Sequence, residues 1–245
     1  VPPDHFGDQA RAIAEFRRDL VGIGNDVVVG GLGNDTITPG AGNDNLNGGG
    51  GDDTFVLAGN LTAADTIDGG DDNDTLTVTT ISAAGLAGVT NVENLSVTGA
   101  STVSLSSNLS FTTIDISDTG NQSLTFATGY STATTVNLKS VVSGDTIINN
   151  AALALTVDST SADAITAAMT ITGSATGLND KIVTTAGDAT TGTINDDGTI
   201  VFTNVTNVDS LTIRKGADSG DDVVVTLGAY ATDMTVTASA LTDAG

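Results

Sequence analysis

Large apolar residues recur at a fixed offset in the first third of the chain, each two residues after an aspartate and within a glycine-rich unit of nine residues. The intact units read GGLGNDTIT, PGAGNDNLN and GGGGDDTFV. VGIGNDVVV precedes them, and the looser NLTAADTID and GGDDNDTLT follow after a three-residue slip at 57–59. The six units begin at Val21, Gly30, Pro39, Gly48, Asn60 and Gly69.

Each unit predicts six turn residues followed by a three-residue strand, which is half of a coil. Two units then make one coil of about eighteen residues in which neighbouring strands are parallel. The apolar residue of every unit should point into the coil and form its core. These predicted core residues are Val28, Ile37, Leu46, Phe55, Ile67 and Leu76.

Beyond residue 77 the glycine pattern fades and triplets of apolar, polar and apolar residues replace it. They are spaced by turn-forming residues, threonine is frequent, and hairpin signals such as Asn-Gly do not separate them, so stacked parallel coils are favoured over a sandwich. We therefore predict an all-β chain: a parallel β-roll that continues into a right-handed β-solenoid. The triplets are Leu95–Val97, Val103–Leu105, Ile114–Ile116, Leu124–Phe126, Val136–Leu138 and Leu155–Val157.

Longer phrases also repeat, and they support a solenoid built from similar units. VTNVENLSV from Val89 returns as VTNVDSLTI from Val205, and GADSGDDVVV resembles a single nine-residue unit. We expect three regions: a short helix within residues 1–20 that caps the solenoid or ends a preceding domain, a roll over 21–77, and a solenoid over 78–245. The pattern continues to the last residues, so we expect the chain to be part of a longer protein.

The charge of the chain narrows its chemistry. The formal net charge is −23 although only 15% of residues are charged, and no Lys or Arg occurs between positions 19 and 138. A nucleic-acid partner is not expected, because no basic patch could neutralise phosphates. The chain has no cysteine and one histidine, so neither a disulfide framework nor a Ser/His/Asp or Cys/His catalytic set is predicted. No apolar stretch is long enough to span a membrane.

Aspartates at the sixth position of the units are the candidate metal ligands. Carboxylates stacked at the strand spacing of about 4.8 Å repel one another unless a cation lies between them. Glycine turns can add backbone carbonyl oxygens, and an all-oxygen cage suits Ca²⁺. We expect the chain to be largely disordered without calcium. The predicted stacks are Asp26, Asp44 and Asp65, and Asp35, Asp53 and Asp74; the turn glycines are Gly31, Gly33, Gly40, Gly42, Gly49 and Gly51; weaker candidates are Asp180 and Asp222.

Residues 22–77 resemble the RTX (repeats-in-toxin) family of calcium-binding β-rolls. The resemblance implies that a calcium ion is shared by Asp26 with Asp44, and another by Asp35 with Asp53, together with carbonyls of the glycine turns. It also implies an extracellular protein, exported by type I secretion from a Gram-negative bacterium. The remainder of the chain, rich in Thr, Ala, Val and Gly, is similar to RTX-containing bacterial surface-layer proteins.

The function predicted from these features is structural: a calcium-stapled rod that self-assembles into a cell-surface layer or filament. Its expected partners are copies of itself and a cell-surface polysaccharide. Two alternatives share the rod, namely the stalk of an RTX adhesin and the carrier module of a larger secreted toxin or enzyme. An enzyme that resembles the calcium-dependent polysaccharide lyases is not favoured, because the basic residues that such chemistry needs are scattered: Lys139, Lys181, Arg214 and Lys215.

Overall fold

The computed structural model describes residues 22–99, 101–117, 123–140, 146–151 and 155–158. Farther along the chain it describes the strands at 169–172, 181–185, 199–200, 202–206, 210–214, 224–225 and 235–239, together with Val208. The predicted helix within residues 1–20 and the weaker metal candidates Asp180 and Asp222 lie outside these ranges.

Short strands make up most of the described chain, and the one helical segment within it is a 3₁₀ turn at Gly85–Gly88. The strands are β1 (Gly22–Ile23), β2 (Val27–Leu32), β3 (Thr36–Ile37), β4 (Gly40–Ala41), β5 (Asn45–Gly50), β6 (Thr54–Ala58), β7 (Thr66–Asp71), β8 (Thr75–Val78), β9 (Val89–Thr90), β10 (Asn94–Val97), β11 (Thr102–Leu105), β12 (Thr113–Ser117), β13 (Ser123–Phe126), β14 (Thr134–Ser140), β15 (Thr146–Asn149), β16 (Leu155–Asp158), β17 (Met169–Thr172), β18 (Lys181–Thr185), β19 (Thr199–Ile200), β20 (Phe202–Thr206), β21 (Ser210–Arg214), β22 (Val224–Val225) and β23 (Thr235–Ser239).

Successive coils stack so that every strand pairing in the described part of the chain is parallel. One ten-stranded sheet runs in the order β3, β6, β8, β10, β12, β14, β16, β18, β21, β23. The other strands form a four-stranded sheet, β2, β5, β7, β9, a five-stranded sheet, β11, β13, β15, β17, β20, and two parallel pairs, β1 with β4 and β19 with β22. The chain is therefore an all-β parallel solenoid, as predicted.

The core lies inside the coils and follows the predicted apolar positions. Val28, Ile37, Leu46, Phe55, Ile67 and Leu76 are all buried, and so are both apolar members of each of the six triplets. Polar residues at the alternate positions of the same strands are only partly buried. One continuous hydrophobic cluster runs from Val28 into the coils beyond the repeats. The repeat region and the following coils thus share a core and a sheet.

The three-residue slip lengthens a corner and leaves the ladder in place. Thr36 pairs with Thr54, eighteen residues on, whereas Thr54 pairs with Thr75, twenty-one residues on. The ladder bulges between Val56 and Ala58, where Ala58 takes a left-handed φ of 49°. The extra residues therefore widen one corner and leave the inward positions in register.

The two copies of the VTNV phrase occupy equivalent places among the described strands. The first begins in β9 and precedes β10, and the second begins in β20 and precedes β21. Both β10 and β21 belong to the ten-stranded sheet. The central valines, Val92 and Val208, are each 1% exposed. The sequence echo therefore marks an internal repeat of the solenoid.

No helix among the described residues is long and apolar enough to cross a membrane.

Candidate metal centre

Aspartates of the first predicted stack are joined one coil to the next through the backbone. The amide of Asp26 donates to Oδ1 of Asp44 at 2.9 Å, and the amide of Asp44 donates to Oδ1 of Asp65 at 2.7 Å. Each of these carboxylates therefore uses one oxygen to hold the preceding coil.

The second predicted stack has the same construction and extends one coil further. The amide of Asp35 donates to Oδ1 of Asp53, and that of Asp53 donates to Oδ1 of Asp74, both at 2.7 Å. The amide of Asp74 then donates to Oε2 of Glu93 at 3.0 Å. Glu93 lies beyond the nine-residue pattern, and sequence reasoning missed it because the spacing there changes.

The second oxygen of several stacked aspartates is buried without a protein partner. Within the described residues, Oδ2 of Asp26, Asp53 and Asp74 has no hydrogen-bond donor. Asp53 is 1% exposed and Asp74 is fully buried. Burying an ionised carboxylate oxygen without a donor or a cation is costly. The observation fits a cation that these oxygens would bind.

Asp65 differs from the other stack members. Its Oδ2 accepts hydrogen bonds from the backbone amide of Thr62 at 2.7 Å and from the Thr62 hydroxyl at 3.1 Å. This acid belongs to the unit NLTAADTID, which lacks the turn glycines. The threonine therefore supplies donors to an oxygen whose equivalents in Asp26, Asp53 and Asp74 have no donor among the described residues.

Glycine at the first position of a unit makes room for Oδ2 of the stacked aspartate. A Cβ atom placed on Gly48 would clash with Oδ2 of Asp53 and with the carbonyl oxygen of Gly69 in the next coil. On Gly30 it would lie 2.7 Å from Oδ2 of Asp35 and would also clash with the Gly48 carbonyl. A carboxylate oxygen and a carbonyl oxygen of the neighbouring coil thus converge beside each of these glycines. Sequence reasoning did not single out the first-position glycines, although the Gly-Gly pairs carried the signal.

The predicted turn glycines are favoured by a positive φ angle, by the close stacking of the coils, or by both. Positive φ angles, a region that L side chains rarely adopt, occur at Gly31 (111°), Gly33 (94°), Gly40 (94°), Gly49 (110°) and Gly51 (114°). A side chain at Gly40, Gly42 or Gly49 would also meet the carbonyl oxygen of the glycine one coil before it.

The fifth position of the units forms a second ladder that runs in the opposite direction. The amide of Asn43 donates to Oδ1 of Asn25, and that of Asp52 donates to Oδ1 of Asn34, both at 3.0 Å. The amide of Asn73 donates to Oδ1 of Asp52 at 3.1 Å. Neighbouring coils are therefore joined both forwards and backwards at these three positions. The preference for Asn or Asp beside the stacked aspartate has this structural cause, which the sequence analysis did not identify.

Burial and neighbouring charges disfavour ionisation in the second stack. Burial raises the pKa of Asp53, and the nearby charges of Asp35 and Asp52 add to the effect, although the hydrogen bond from the Asp35 amide opposes it. Burial also raises the pKa of Asp74 to about 6, again assisted by neighbouring carboxylates that include Asp53 and Glu93. A bound cation would remove this unfavourable electrostatic energy.

The available donors are hard oxygens. Among the described residues, no three His, Cys, Asp or Glu side chains cluster as a metal site. A site here must therefore combine aspartate pairs with backbone carbonyls, which is chemistry that suits calcium. The basic side chain of Lys139 forms an ion pair with Asp115 on the ten-stranded sheet, outside both stacks.

Comparison with known proteins agrees with this donor set. Residues 21–55 and 62–78 match the family model of the RTX calcium-binding nonapeptide repeat, in four copies. The gap in the match contains the three-residue slip at 57–59. No curated protein and no solved structure gives a significant match to the chain. The predicted resemblance and the predicted calcium cofactor are confirmed: residues 21–78 carry RTX calcium-binding nonapeptide repeats.

Proposed function

We propose that calcium ions bind between successive coils at the paired aspartates of the two stacks. The pairs are Asp26 with Asp44, Asp35 with Asp53, and Asp53 with Asp74. The buried, unpaired Oδ2 atoms of Asp26, Asp53 and Asp74 carry this proposal. Carbonyl oxygens of the glycine turns complete the ligand set, and the bound ion supplies the positive charge that the carboxylates lack. The backbone amide of the preceding coil donates to Oδ1 of each pair's second aspartate and so orients its carboxylate for this role.

Calcium then acts as the staple of the fold. The chain carries a formal charge of −23 and has no cysteine with which to form a disulfide. Stacked ionised carboxylates oppose a compact state, and a metal that binds only the folded state stabilises it by mass action. Extracellular calcium modules bind at about 10⁻⁴–10⁻³ M. A chain of this design folds where calcium is abundant, which supports an extracellular location and export by type I secretion before folding.

The function we propose is that of a structural rod that associates with copies of itself in a cell-surface layer or filament. The proposal is supported by an apolar patch on the first described coil. Ile23, Val27, Val29 and Leu32 are 99%, 75%, 58% and 77% exposed. The ten-stranded and four-stranded sheets also end in this region, at β3 and β2. Exposed apolar side chains next to strand edges favour association with another chain.

The test is sedimentation and negative-stain imaging of the protein in calcium and after chelation. Ordered sheets or filaments that dissolve on chelation support the proposal. A double variant, Val27→Thr with Val29→Thr, should reduce assembly without changing calcium-induced folding, whereas a matched pair on the ten-stranded sheet, Thr75→Ser with Thr77→Ser, should leave assembly intact. A folded monomer in calcium would overturn self-assembly and favour a stalk or a carrier module. Polysaccharide binding by the assembled form is a further part of the proposal and is testable by co-sedimentation with cell-wall material.

The proposed role is not enzymatic. The sequence offers no histidine-based or cysteine-based catalytic set. The stacked aspartates hold neighbouring coils together, and Lys139 is paired with Asp115. Activity of a domain carried by the rod would be consistent with the carrier alternative.

A further inference from the structure

The junction between the RTX repeats and the following solenoid contains a fully buried acid, one of whose carboxylate oxygens has no partner among the described residues. Asp74 belongs to the last repeat copy, and its Oδ2 has no hydrogen-bond partner within the described residues. The next coil has no nine-residue unit: it enters β9 at Val89 and turns through Asn91, Val92 and Glu93 into β10. The family match ends before this coil, at residue 78.

Two earlier levels of the same edge show what surrounds Oδ2 of a stacked aspartate. Beside Gly30 lie Oδ2 of Asp35 and the Gly48 carbonyl oxygen, and beside Gly48 lie Oδ2 of Asp53 and the Gly69 carbonyl oxygen. In each case the carboxylate comes from the same unit and the carbonyl from the next coil.

The junction reproduces this arrangement with different residues. A Cβ atom placed on Gly69 would clash with Oδ2 of Asp74 and with the carbonyl oxygen of Asn91. Asn91 takes a left-handed φ of 50°, and its side-chain amide donates to Oδ1 of Asp68 at 2.8 Å. A non-glycine residue thus presents its carbonyl where the repeats present that of a glycine.

Glu93 takes the place of the next stacked aspartate. Its Oε2 accepts from the amide of Asp74, as Asp74 itself does from Asp53. Five positions separate Gly69 from Asp74, whereas only two separate Asn91 from Glu93. The corner is therefore tighter, but the strands that follow it stay in register: Asn94 pairs with Thr75 as Thr75 pairs with Thr54.

We propose that the coil after the repeats completes one more calcium site, with Asp74 Oδ2, the Asn91 carbonyl oxygen and the Glu93 carboxylate as ligands. The site would join the RTX roll to the following solenoid and make the first coil beyond the repeats depend on calcium. This inference rests on the proposed calcium binding between stacked acids. Calcium takes six to eight oxygens, so turn carbonyls and water complete the shell.

The experiment is calcium titration calorimetry of the chain and of Glu93→Gln. Glutamine keeps the oxygen that accepts the Asp74 amide but removes a ligand charge, so one site should weaken by about tenfold or more while the others keep their affinity. The control is Asp71→Asn, which removes the same charge from the exposed last residue of β7 and should leave the isotherm unchanged. An unaltered isotherm for Glu93→Gln overturns the inference and leaves the proposed function standing.

Two further outcomes keep the tests separate. If the unaltered chain binds no calcium, the proposed function fails as well. If Glu93→Gln does not fold, a crystal structure of the unaltered chain grown in calcium decides the matter. A calcium ion in contact with Asp74 Oδ2 and the Asn91 carbonyl supports the site. Calcium between Asp35 and Asp53 with none at this junction overturns it.

Discussion

Replacing Asp53 with asparagine should have opposite effects with and without calcium. Asp53 lies in the middle of its stack: its Oδ1 accepts the Asp35 amide, and its own amide donates to Asp74, both at 2.7 Å. Asparagine keeps the Oδ1 acceptor and the size of the side chain. What changes is Oδ2, the buried oxygen without a partner, which becomes an uncharged amide group.

The magnitude in calcium follows from mass action. A site saturated at 100 times its Kd stabilises the folded state by about 2.7 kcal/mol. With a Kd of about 10⁻⁴ M, that condition corresponds to about 10 mM calcium. Asp53 contributes to two proposed sites, so Asp53→Asn should lower the free energy of unfolding by about 3–5 kcal/mol in 10 mM calcium.

Without calcium the sign reverses. The wild-type carboxylate is then a buried charge that lies near the carboxylates of Asp35 and Asp52 and is disfavoured in the fold. Asparagine removes that charge. At neutral pH in chelator, the free energy of unfolding of the variant should therefore exceed that of the wild type by about 1–2 kcal/mol, and more strand structure should be retained.

The assay is far-ultraviolet circular dichroism during urea unfolding, in 10 mM calcium and in chelator. Asp52→Asn is the matched control, because Asp52 is exposed, adjacent in sequence and outside the stack, and its asparagine keeps the oxygen that accepts the Asn73 amide. If Asp53→Asn and Asp52→Asn behave alike in both conditions, the stacked acids do not hold calcium and the reasoning fails.

Three further predictions follow from the same geometry. Acidification should partly replace calcium, because burial raises the folded-state pKa of Asp53 above its unfolded value and that of Asp74 to about 6. The metal-free fold therefore gains stability as pH falls through about 6 towards 4. A circular dichroism signal in chelator that stays flat from pH 7 to 4.5 would contradict this. Gly48→Ala should abolish calcium-induced folding, because its Cβ would meet Asp53 and the Gly69 carbonyl, whereas Gly59→Ala, whose Cβ finds only the Thr80 hydroxyl at 3.8 Å, should fold at nearly the wild-type calcium concentration. Tyr130→Phe should cost about 1–2 kcal/mol of unfolding free energy in calcium, because the buried hydroxyl donates to the Phe111 carbonyl at 2.8 Å; a change below about 0.3 kcal/mol in urea unfolding would show that this bond contributes nothing.

The sequence predicted the fold well because its signals are periodic. A large apolar residue at the same position of every unit can be buried continuously only if the units stack. The six such residues, from Val28 in the first unit to Leu76 in the last, are buried as that argument requires. The triplets beyond residue 77 obey the period of two of a strand, so their inward faces could also be assigned. The stacking of the two aspartate series followed from the count of two units per coil.

The missed residues are those whose roles depend on contacts across coils of unequal length. Glu93 accepts the amide of Asp74 from nineteen positions away, a spacing that matches neither the eighteen nor the twenty-one of the repeats. Thr62 satisfies Asp65 through a local turn that replaces the glycines. A repeat template counts positions, so it cannot show where a shortened corner and a longer side chain restore the same contact.

The shared ten-stranded sheet connects calcium to the part of the chain that lacks RTX repeats. β8 closes the last repeat and pairs in full register with β10, whose partner β12 already belongs to the threonine-rich coils. A solenoid derives its stability from each coil and from its contacts with the neighbouring coils. If calcium orders the coils up to β8, it also supplies an ordered edge on which β10 and β12 can pair. The aspartate stacks can therefore govern the folding of a longer segment than the one that binds the metal. Glu93 lies in the first coil beyond the repeats, and after that coil hydrogen bonds and apolar packing join the coils in place of metal ligands.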